Sequence, residues 1–226
     1  MADFHVIKGF VLDLDGVIAD TARFHGEAWH QTANRVGTIW TDSLADGLKG
    51  ISRMDSLEMI LKAGGHEKQY TEQQKEQLAA EKNKQYLTLI AGLTPEDLLP
   101  GMAAFLNSIK TNGYGLALAS ASKNAPIILK GLGIAELFDA VVDPATLKAG
   151  KPDPEIFARG ASLLHLQPGE VIGIEDAAAG IQSIHAAGEV SIGIGDKNTL
   201  AHADILFAST AGLTLDNIAG SVYFAQ

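Results

Sequence analysis

The sequence predicts an α/β fold: a Rossmann-like core, in which helices flank a parallel sheet, and a helical domain inserted after the first strand. Two observations support this fold class. Short apolar runs rich in β-branched residues alternate with helical stretches over most of the chain, which is typical of βαβ units. Between residues 20 and 92, by contrast, apolar residues recur at helical spacing and no convincing strand is present.

The first predicted element is a buried strand from Val6 to Leu12, because these residues are mostly apolar and partly β-branched. Asp13, Asp15 and Gly16 follow this strand closely. Open α/β sheets bind ligands beyond the carboxyl ends of their strands, so two carboxylates at this position indicate a ligand site. An exposed Asp-Gly turn with solvated carboxylates is the simpler interpretation of this segment taken alone.

The inserted segment is expected to be a helical cap domain formed by residues 20–92. Its first helix has either Asp20 or Thr21 as a plausible N-cap. The Gly64-Gly65 pair separates two later helices, and the very polar stretch Thr71–Tyr86 predicts one long exposed helix.

The core domain is expected to comprise residues 1–19 and 93–226. A domain inserted through two chain segments can hinge over the sheet edge as a lid. The strands predicted after the insertion are Tyr114–Ala119, Ala140–Val142, Val171–Ile174, Val190–Ile194 and Ile205–Phe207. The helices predicted around these strands are Met102–Thr111, Lys123–Leu132, Pro154–Leu164 and Ala178–Ala187, with a closing helix within residues 208–226.

The composition restricts the classes of function. The 226 residues are 46% hydrophobic, carry a formal charge of −10 and include no cysteine. The negative charge argues against a nucleic-acid partner, and the lack of cysteine excludes disulfides and thiol chemistry. Because there is neither a run long enough to span a bilayer nor a signal peptide, we expect a cytoplasmic protein without a membrane partner. Nothing in the sequence demands more than a monomer.

Three further groups of polar residues follow predicted core elements. The Ser120 hydroxyl can donate to an anion beside a helix N-terminus, although Ser120 or Ser122 could instead cap that helix. Lys151, in a loop, can neutralise a phosphate or pair with a carboxylate. Glu175 and Asp176 follow another buried strand, where Asp176 could also be a helix N-cap. Together with the first aspartates, these residues indicate an acidic metal site with phosphate donors beside it.

In this order, the Asp-x-Asp-Gly segment, Ser120, Lys151 and the Glu175-Asp176 pair resemble the haloacid dehalogenase superfamily of phosphotransferases. The resemblance covers nearly the whole chain, including the helical cap. It implies that Asp13 is the nucleophile, which becomes an aspartyl phosphate, and that Asp15 is the general acid/base.

The same resemblance implies a Mg²⁺ cofactor. Asp13, the backbone carbonyl of Asp15, and Asp176 would hold the ion, with Glu175 supporting this metal shell. Ser120 and Lys151 would hold the phosphoryl oxygens.

A further set of residues resembles the sugar-phosphate mutases of this superfamily. The set comprises Thr21, His25, Gly50, Ser52, Arg53, Ser56, Lys82, Asn83, Ala121, Ser122, Lys123 and Asn124. By this resemblance Arg53 binds the distal phosphate, for which a planar guanidinium is suited. His25 and Lys82 would act through the cap hinge and bring Asp15 into line once a sugar is bound. The others would contact the substrate, whereas the simpler interpretation is solvated helix charges and a surface histidine.

The implied partner is a small sugar phosphate. The implied reaction interconverts β-D-glucose 1-phosphate and glucose 6-phosphate, with glucose 1,6-bisphosphate as the activating intermediate. A lid that places Asp15 only when sugar is present would protect the aspartyl phosphate from water.

Three alternatives remain open. A sugar-phosphate or phosphoglycolate-type phosphatase would need the same core residues, so only the cap distinguishes it from a mutase. Relatives that act on maltose or trehalose phosphates would share much of the motif set. A non-catalytic sugar-phosphate-binding protein would need neither Asp13 nor Asp15.

Overall fold

The fold is a single parallel sheet covered by helices on both faces, as seen in a computed structural model that describes residues 3–224. The strand order is β3-β2-β1-β4-β5-β6, and all neighbouring strands are parallel. The strands are β1 (Gly9–Leu12), β2 (Gly115–Leu118), β3 (Ala140–Val141), β4 (Val171–Glu175), β5 (Val190–Ile194) and β6 (Ile205–Phe207). This order is that of a doubly wound Rossmann sheet, so the predicted fold class is confirmed.

Four helices follow β1 in the segment that was predicted to be inserted. These are α1 (Ala22–Val36), α2 (Asp42–Gly47), α3 (Arg53–Ala63) and α4 (Glu72–Ile90). The later helices alternate with strands as far as β5, and α9 follows β6; they are α5 (Met102–Thr111), α6 (Ala125–Gly131), α7 (Glu155–Leu163), α8 (Ala178–Ala187) and α9 (Leu215–Ala219). None of the helices within residues 3–224 is both long and apolar enough to cross a membrane.

The sheet is buried on both faces. Phe10 packs edge-to-face on Phe105 of α5 within one apolar cluster, whereas Val11 belongs to a second cluster that contains Phe157 of α7. Successive side chains of a strand point to opposite faces, so β1 must be apolar at every position. This burial explains the continuous apolar sequence that precedes Asp13.

A third apolar cluster lies within α1–α4 and the loops that join them. It includes Trp29, Leu57, Ile60 and Leu78, and its members all lie between residues 29 and 79. A separate cluster of this kind favours the cap domain of residues 20–92, although this division stays a prediction.

Two predicted elements differ from the structure near the chain ends. Val6 is not part of the first strand: it lies in a 3₁₀ turn, Phe4–Val6, and is 48% exposed, so β1 begins at Gly9. The predicted closing helix within residues 208–226 is reduced to α9, which is five residues long. The Thr214 hydroxyl caps the beginning of α9, and the helix ends at Gly220.

The stretch Thr71–Tyr86 was predicted to form one long exposed helix, and this prediction was wrong about the exposure. The helix α4 exists, but it packs on α1 and α3 and buries Lys75, Lys82 and Tyr86 among other residues. The polar composition of this stretch suggested exposure. Its lysines can nevertheless be buried, because their long side chains lie along apolar surface while their charged ends find partners. Lys75, for example, pairs with Glu58 and Glu72.

Candidate active site

The strand register brings the predicted core residues to one edge of the sheet. Leu12 of β1 is paired with Leu118 of β2 on one side and with Ile174 of β4 on the other. The backbone N–H of Asp13 donates to the carbonyl of Ile174 at 3.0 Å. The residues that follow these strands therefore meet at the carboxyl edge, where such sheets bind ligands.

Lys151 is the cation at the centre of this edge. Its Nζ donates to Asp13 Oδ1 at 2.7 Å and to Glu175 Oε1 at 2.6 Å. Burial by itself would lower the pKa of Lys151, but the two carboxylates outweigh burial and raise it. Lys151 is therefore protonated in the folded protein, with its side chain completely hidden.

Glu175 has a second structural contact. Its Oε2 accepts the backbone N–H groups of Asp176 and Ala177, each at 2.7 Å. The N-cap residue of α8 is Ala177, so Asp176 does not take the alternative role of N-cap. A Cβ on Gly180 would collide with the Glu175 carboxylate, which explains a glycine in the first turn of α8.

Three carboxylates at this edge could hold a metal ion. Asp13, Glu175 and Asp176 each place an oxygen within 4.8 Å of the others. Burial first, and then repulsion among the carboxylates, raise the pKa values of Asp13 and Asp176 well above the ordinary range, against the effect of Lys151. Oxygen ligands that repel one another in this way fit a hard divalent cation.

Asp15 is held from the cap side. Its Oδ1 accepts a 2.5 Å hydrogen bond from the Thr21 hydroxyl, and Thr21 is fully buried. Thr21 occupies the N-cap position of α1, but its side chain makes no capping bond to that helix. The structure thus assigns the Thr21 hydroxyl to Asp15, and substrate contact by Thr21 stays a prediction.

His25 and Lys82 form the next layer around Asp15. Lys82 Nζ lies 2.7 Å from His25 Nδ1. Burial lowers the pKa of His25 to about 4, so its ring is neutral at pH 7. When Lys82 is protonated its ammonium only donates, so Nδ1 then accepts and the ring proton is on Nε2. Nε2 lies 3.8 Å from Asp15 Oδ2, too far for a hydrogen bond, and has no hydrogen-bond partner among the described residues, so His25 places this side of its ring near Asp15 without bonding it.

Two aromatic residues that the sequence analysis missed enclose this pair. Tyr86 stacks on His25 with ring centroids 3.9 Å apart. Lys82 Nζ lies 4.6 Å from the ring centroid of Trp29 and 4.8 Å from that of Tyr86. Helical spacing could have indicated both, because Trp29 follows His25 by four positions and Tyr86 follows Lys82 by four. Burial lowers the pKa of Lys82 to about 7.

Arg53 is the first residue of α3, and its guanidinium donates to Asn83 Oδ1 at 2.7 Å. The Ser52 side chain caps α3 by accepting the N–H of Asp55, and the Ser56 hydroxyl donates to the Ser52 carbonyl at 2.9 Å. These hydroxyls hold the start of α3, and therefore the base of Arg53, in one arrangement.

The predicted residues surround one large cavity of about 1170 Å³ between the cap helices and the strand ends. Its lining includes Asp13, Asp15, His25, Gly50, Ser52, Arg53, Ser56, Lys82, Ala121, Ser122, Lys123, Lys151 and Asp176. The other predicted residues, Thr21, Asn83, Ser120, Asn124 and Glu175, are hydrogen-bonded to members of this lining or to each other. Their individual roles toward a substrate stay predictions.

Known proteins share this fold and much of this sequence. The family model of the haloacid dehalogenase-like hydrolases matches residues 7–188. The chain is 45% identical to β-phosphoglucomutase of Bacillus subtilis (strain 168) over 210 residues, which cover 93% of each chain. It is 31% identical to hexitol phosphatase A of Escherichia coli (strain K12), covering 92% of this chain and 94% of that protein.

A solved structure agrees with these sequence relationships. β-Phosphoglucomutase from Clostridium difficile superposes with a TM-score of 0.92 at 42% identity, covering 94% of this chain and 95% of that one. The chain belongs to the haloacid dehalogenase-like hydrolase family, as the resemblance of its motifs indicated.

Proposed function

We propose that the protein is a β-phosphoglucomutase, which interconverts β-D-glucose 1-phosphate and glucose 6-phosphate. One observation carries the proposal. A single cavity is lined by a buried aspartate and lysine at the carboxyl edge of the sheet, Asp13 and Lys151, and by a second cation on the cap, Arg53, whose guanidinium is suited to a phosphate. A site with two places for phosphate fits a sugar that is phosphorylated at both ends during the reaction. The resemblance to two β-phosphoglucomutases supports this substrate.

Asp13 is the proposed nucleophile. Its carboxylate attacks phosphorus while the bond to the departing sugar oxygen breaks, which gives an aspartyl phosphate. The Lys151 ammonium already donates to Asp13, so it is placed to hold the phosphoryl oxygens that arrive there. Ser120 is the proposed hydroxyl donor to the same oxygens, and the backbone N–H of Ser122 fixes its Oγ at 3.1 Å.

The proposed cofactor is Mg²⁺, held by Asp13, Asp176 and the backbone carbonyl of Asp15, with Glu175 beside them. When bound, the ion neutralises charge between the anionic nucleophile and the anionic phosphate. The oxygen-only set of donors supports this choice, since Mg²⁺ prefers such ligands.

Asp15 is the proposed general acid/base. It takes the proton of the sugar hydroxyl as that oxygen receives the phosphoryl group from Asp13, which produces glucose 1,6-bisphosphate. After the bisphosphate turns around, Asp13 takes the other phosphoryl group and Asp15 returns the proton to the freed oxygen. Thr21 holds one oxygen of Asp15, and His25 Nε2 lies 3.8 Å from the other.

The cap is proposed to hold the far end of the sugar. Arg53 would bind the distal phosphate in either orientation of the bisphosphate, because a guanidinium donates through a planar fork. The cavity-lining residues Gly50, Ser52, Ser56 and Lys123 are the proposed contacts to sugar or phosphate.

Product analysis by ³¹P NMR tests this proposal. The protein would be given β-glucose 1-phosphate, Mg²⁺ and a trace of glucose 1,6-bisphosphate, with the Asp13→Asn variant as the control. Glucose 6-phosphate without inorganic phosphate is the expected product. Inorganic phosphate as the main product would instead assign the protein to the sugar-phosphate phosphatases and overturn the proposal.

A further inference from the structure

Asn83 joins three parts of the molecule through one atom. It lies in α4, and its Oδ1 accepts hydrogen bonds from the Arg53 guanidinium at 2.7 Å and from Asn124 Nδ2 at 2.8 Å. Arg53 begins α3 on the cap, whereas Asn124 precedes α6 on the core. An arginine can only donate, so the atom that faces Arg53 must be the amide oxygen, and both of its lone pairs are used.

Asn124 connects this oxygen to the loop of residues 120–124, which includes Ser120, the proposed hydroxyl donor to phosphate. Its backbone N–H donates to Ser122 Oγ at 3.3 Å, and the backbone N–H of Ser122 donates to Ser120 Oγ at 3.1 Å. All three residues are buried. A continuous set of hydrogen bonds therefore runs from the loop beside Asp13, through Asn83, to Arg53.

We propose that Asn83 is a positioning residue that couples the seating of the cap on the core to the orientation of Arg53. The proposal deepens the proposed function and rests on it, because it takes Arg53 to be the ligand of the distal phosphate. It replaces the expectation that Asn83 itself contacts the sugar.

The Asn83 side chain is held from two sides. Arg53 and Asn83 are both on the cap, so their mutual bond does not by itself sense the core. The bond from Asn124 exists only when the cap lies against the core, and it fixes the amide of Asn83 from the second side. A fixed amide holds Arg53 in one direction, and a guanidinium has further N–H groups with which to meet a phosphate.

The matched variants are Asn83→Leu, which removes the acceptor, and Asn83→Asp, which keeps it. We expect Asn83→Leu to lower mutase kcat/KM at least about tenfold, and hydrolysis of p-nitrophenyl phosphate, which has no second phosphate, by less than about threefold. Asn83→Asp should mainly raise KM, because a carboxylate binds Arg53 more tightly and competes with the distal phosphate. Equal losses on both substrates, or identical behaviour of the two variants, would overturn the proposal.

A double-mutant cycle with Arg53→Ala separates positioning from direct contact. In the Arg53→Ala background, Asn83→Leu should lower mutase kcat/KM by less than about twofold, because its effect passes through the missing guanidinium. A full further loss in that background would show that Asn83 acts independently of Arg53, contrary to the proposal. Asn34→Leu, at an exposed position of α1, is the matched control and should leave the ratio of the two activities unchanged.

The failure of this inference is distinguishable from failure of the proposed function. The products of the unmodified protein test the mutase reaction by themselves. If they include only inorganic phosphate, the same cycle is measured on hydrolysis of glucose 1,6-bisphosphate, which still carries a distal phosphate. Coupling between Asn83 and Arg53 on that substrate would support the positioning role, and additive effects would refute it.

Discussion

The two sides of the cavity differ in the charge of their buried and half-buried groups: carboxylates predominate on the core side and cations on the cap side. On the core side, burial raises the pKa values of Asp13 and Asp176, and Lys151 is the cation that offsets them. On the cap side, burial lowers the pKa values of Arg53 and Lys82, whose closest polar partners are an amide oxygen and a neutral imidazole. A bound cation would relieve the core and a bound anion would relieve the cap. A metal ion together with a doubly phosphorylated sugar supplies both charges.

The substitution Asp13→Asn tests the crowding of negative charge on the core side. We expect turnover to fall at least about a thousandfold, because the proposed nucleophile is lost. The free energy of unfolding without metal should fall by no more than about 1 kcal/mol, because a crowded buried charge is removed and an amide oxygen can still accept from Lys151. Turnover and chemical denaturation measure the two effects, with Asp216→Asn at an exposed position as the control. A loss of stability of several kcal/mol would show that this aspartate is needed for folding.

The second test removes the cation of the core. Lys151→Met should lower the free energy of unfolding by about 3–5 kcal/mol, because it leaves the buried carboxylates of Asp13 and Glu175 without their partner. Denaturation in urea without metal measures this loss. If added divalent cations restore part of the lost stability, the loss comes from repulsion among the buried carboxylates. A variant as stable as the original protein would show that Lys151 does not offset their charge.

The matched change on the cap is Lys82→Met. Here the free energy of unfolding should stay within about 1 kcal/mol or rise at pH 7, because the buried ammonium has no carboxylate within hydrogen-bonding distance among residues 3–224. The loss of its contacts with two aromatic rings limits the gain. Since the folded pKa is lowered, any gain should shrink as the pH rises toward 10. A loss of stability as large as that of Lys151→Met would show that the cation on the cap side stabilises the fold as much as the cation on the core side.

The third test concerns the connection between the two sides. His25→Ala should lower mutase turnover about ten- to a hundredfold, because Asp15 loses the imidazole beside it. The affinity for Mg²⁺ should change by less than about twofold, because His25 does not belong to the carboxylate cluster. Steady-state kinetics and calorimetric titration of Mg²⁺ give the two values. Equal losses in turnover and in Mg²⁺ affinity would count against a role through the cap hinge.

The last test lies far from the cavity, at Glu189, and concerns stability alone. This glutamate precedes β5, and neither of its carboxylate oxygens has a hydrogen-bond partner in the described part of the chain. Burial raises its pKa to about 8. The folded state therefore retains a proton that the unfolded state loses, so stability should fall as the pH rises from about 5 to 8.

Glu189→Gln should remove this dependence. We expect the variant to be more stable than the original protein by about 1–3 kcal/mol at pH 9 and to differ little at pH 5. Denaturation curves across this pH range make the comparison, and Glu136→Gln, at an exposed glutamate, is the control. A gain of equal size at both pH values would mean that the burial of charge is not the cause.

The sequence predicted the core side of the cavity better than the cap side. Asp13, Ser120 and Glu175 each follow an apolar run, and the parallel register of the sheet brings the ends of such runs to one edge. The positions of these residues in the sequence therefore predict that they lie close together in space. On the cap, Trp29 and Tyr86 were missed, because their contacts depend on how α1 and α4 pack together.

Local sequence determined the class of fold, the position of the inserted helices and the edge at which the acidic residues meet. These features follow from hydrophobic periodicity and from the short range over which strands and helices begin and end. Only the tertiary structure decided that Thr21 bonds to Asp15 rather than capping α1, and that Asn83 joins Arg53 to Asn124. The partner of a buried polar group is chosen among all groups that folding brings near it, and residues that are distant in the chain become neighbours only through packing.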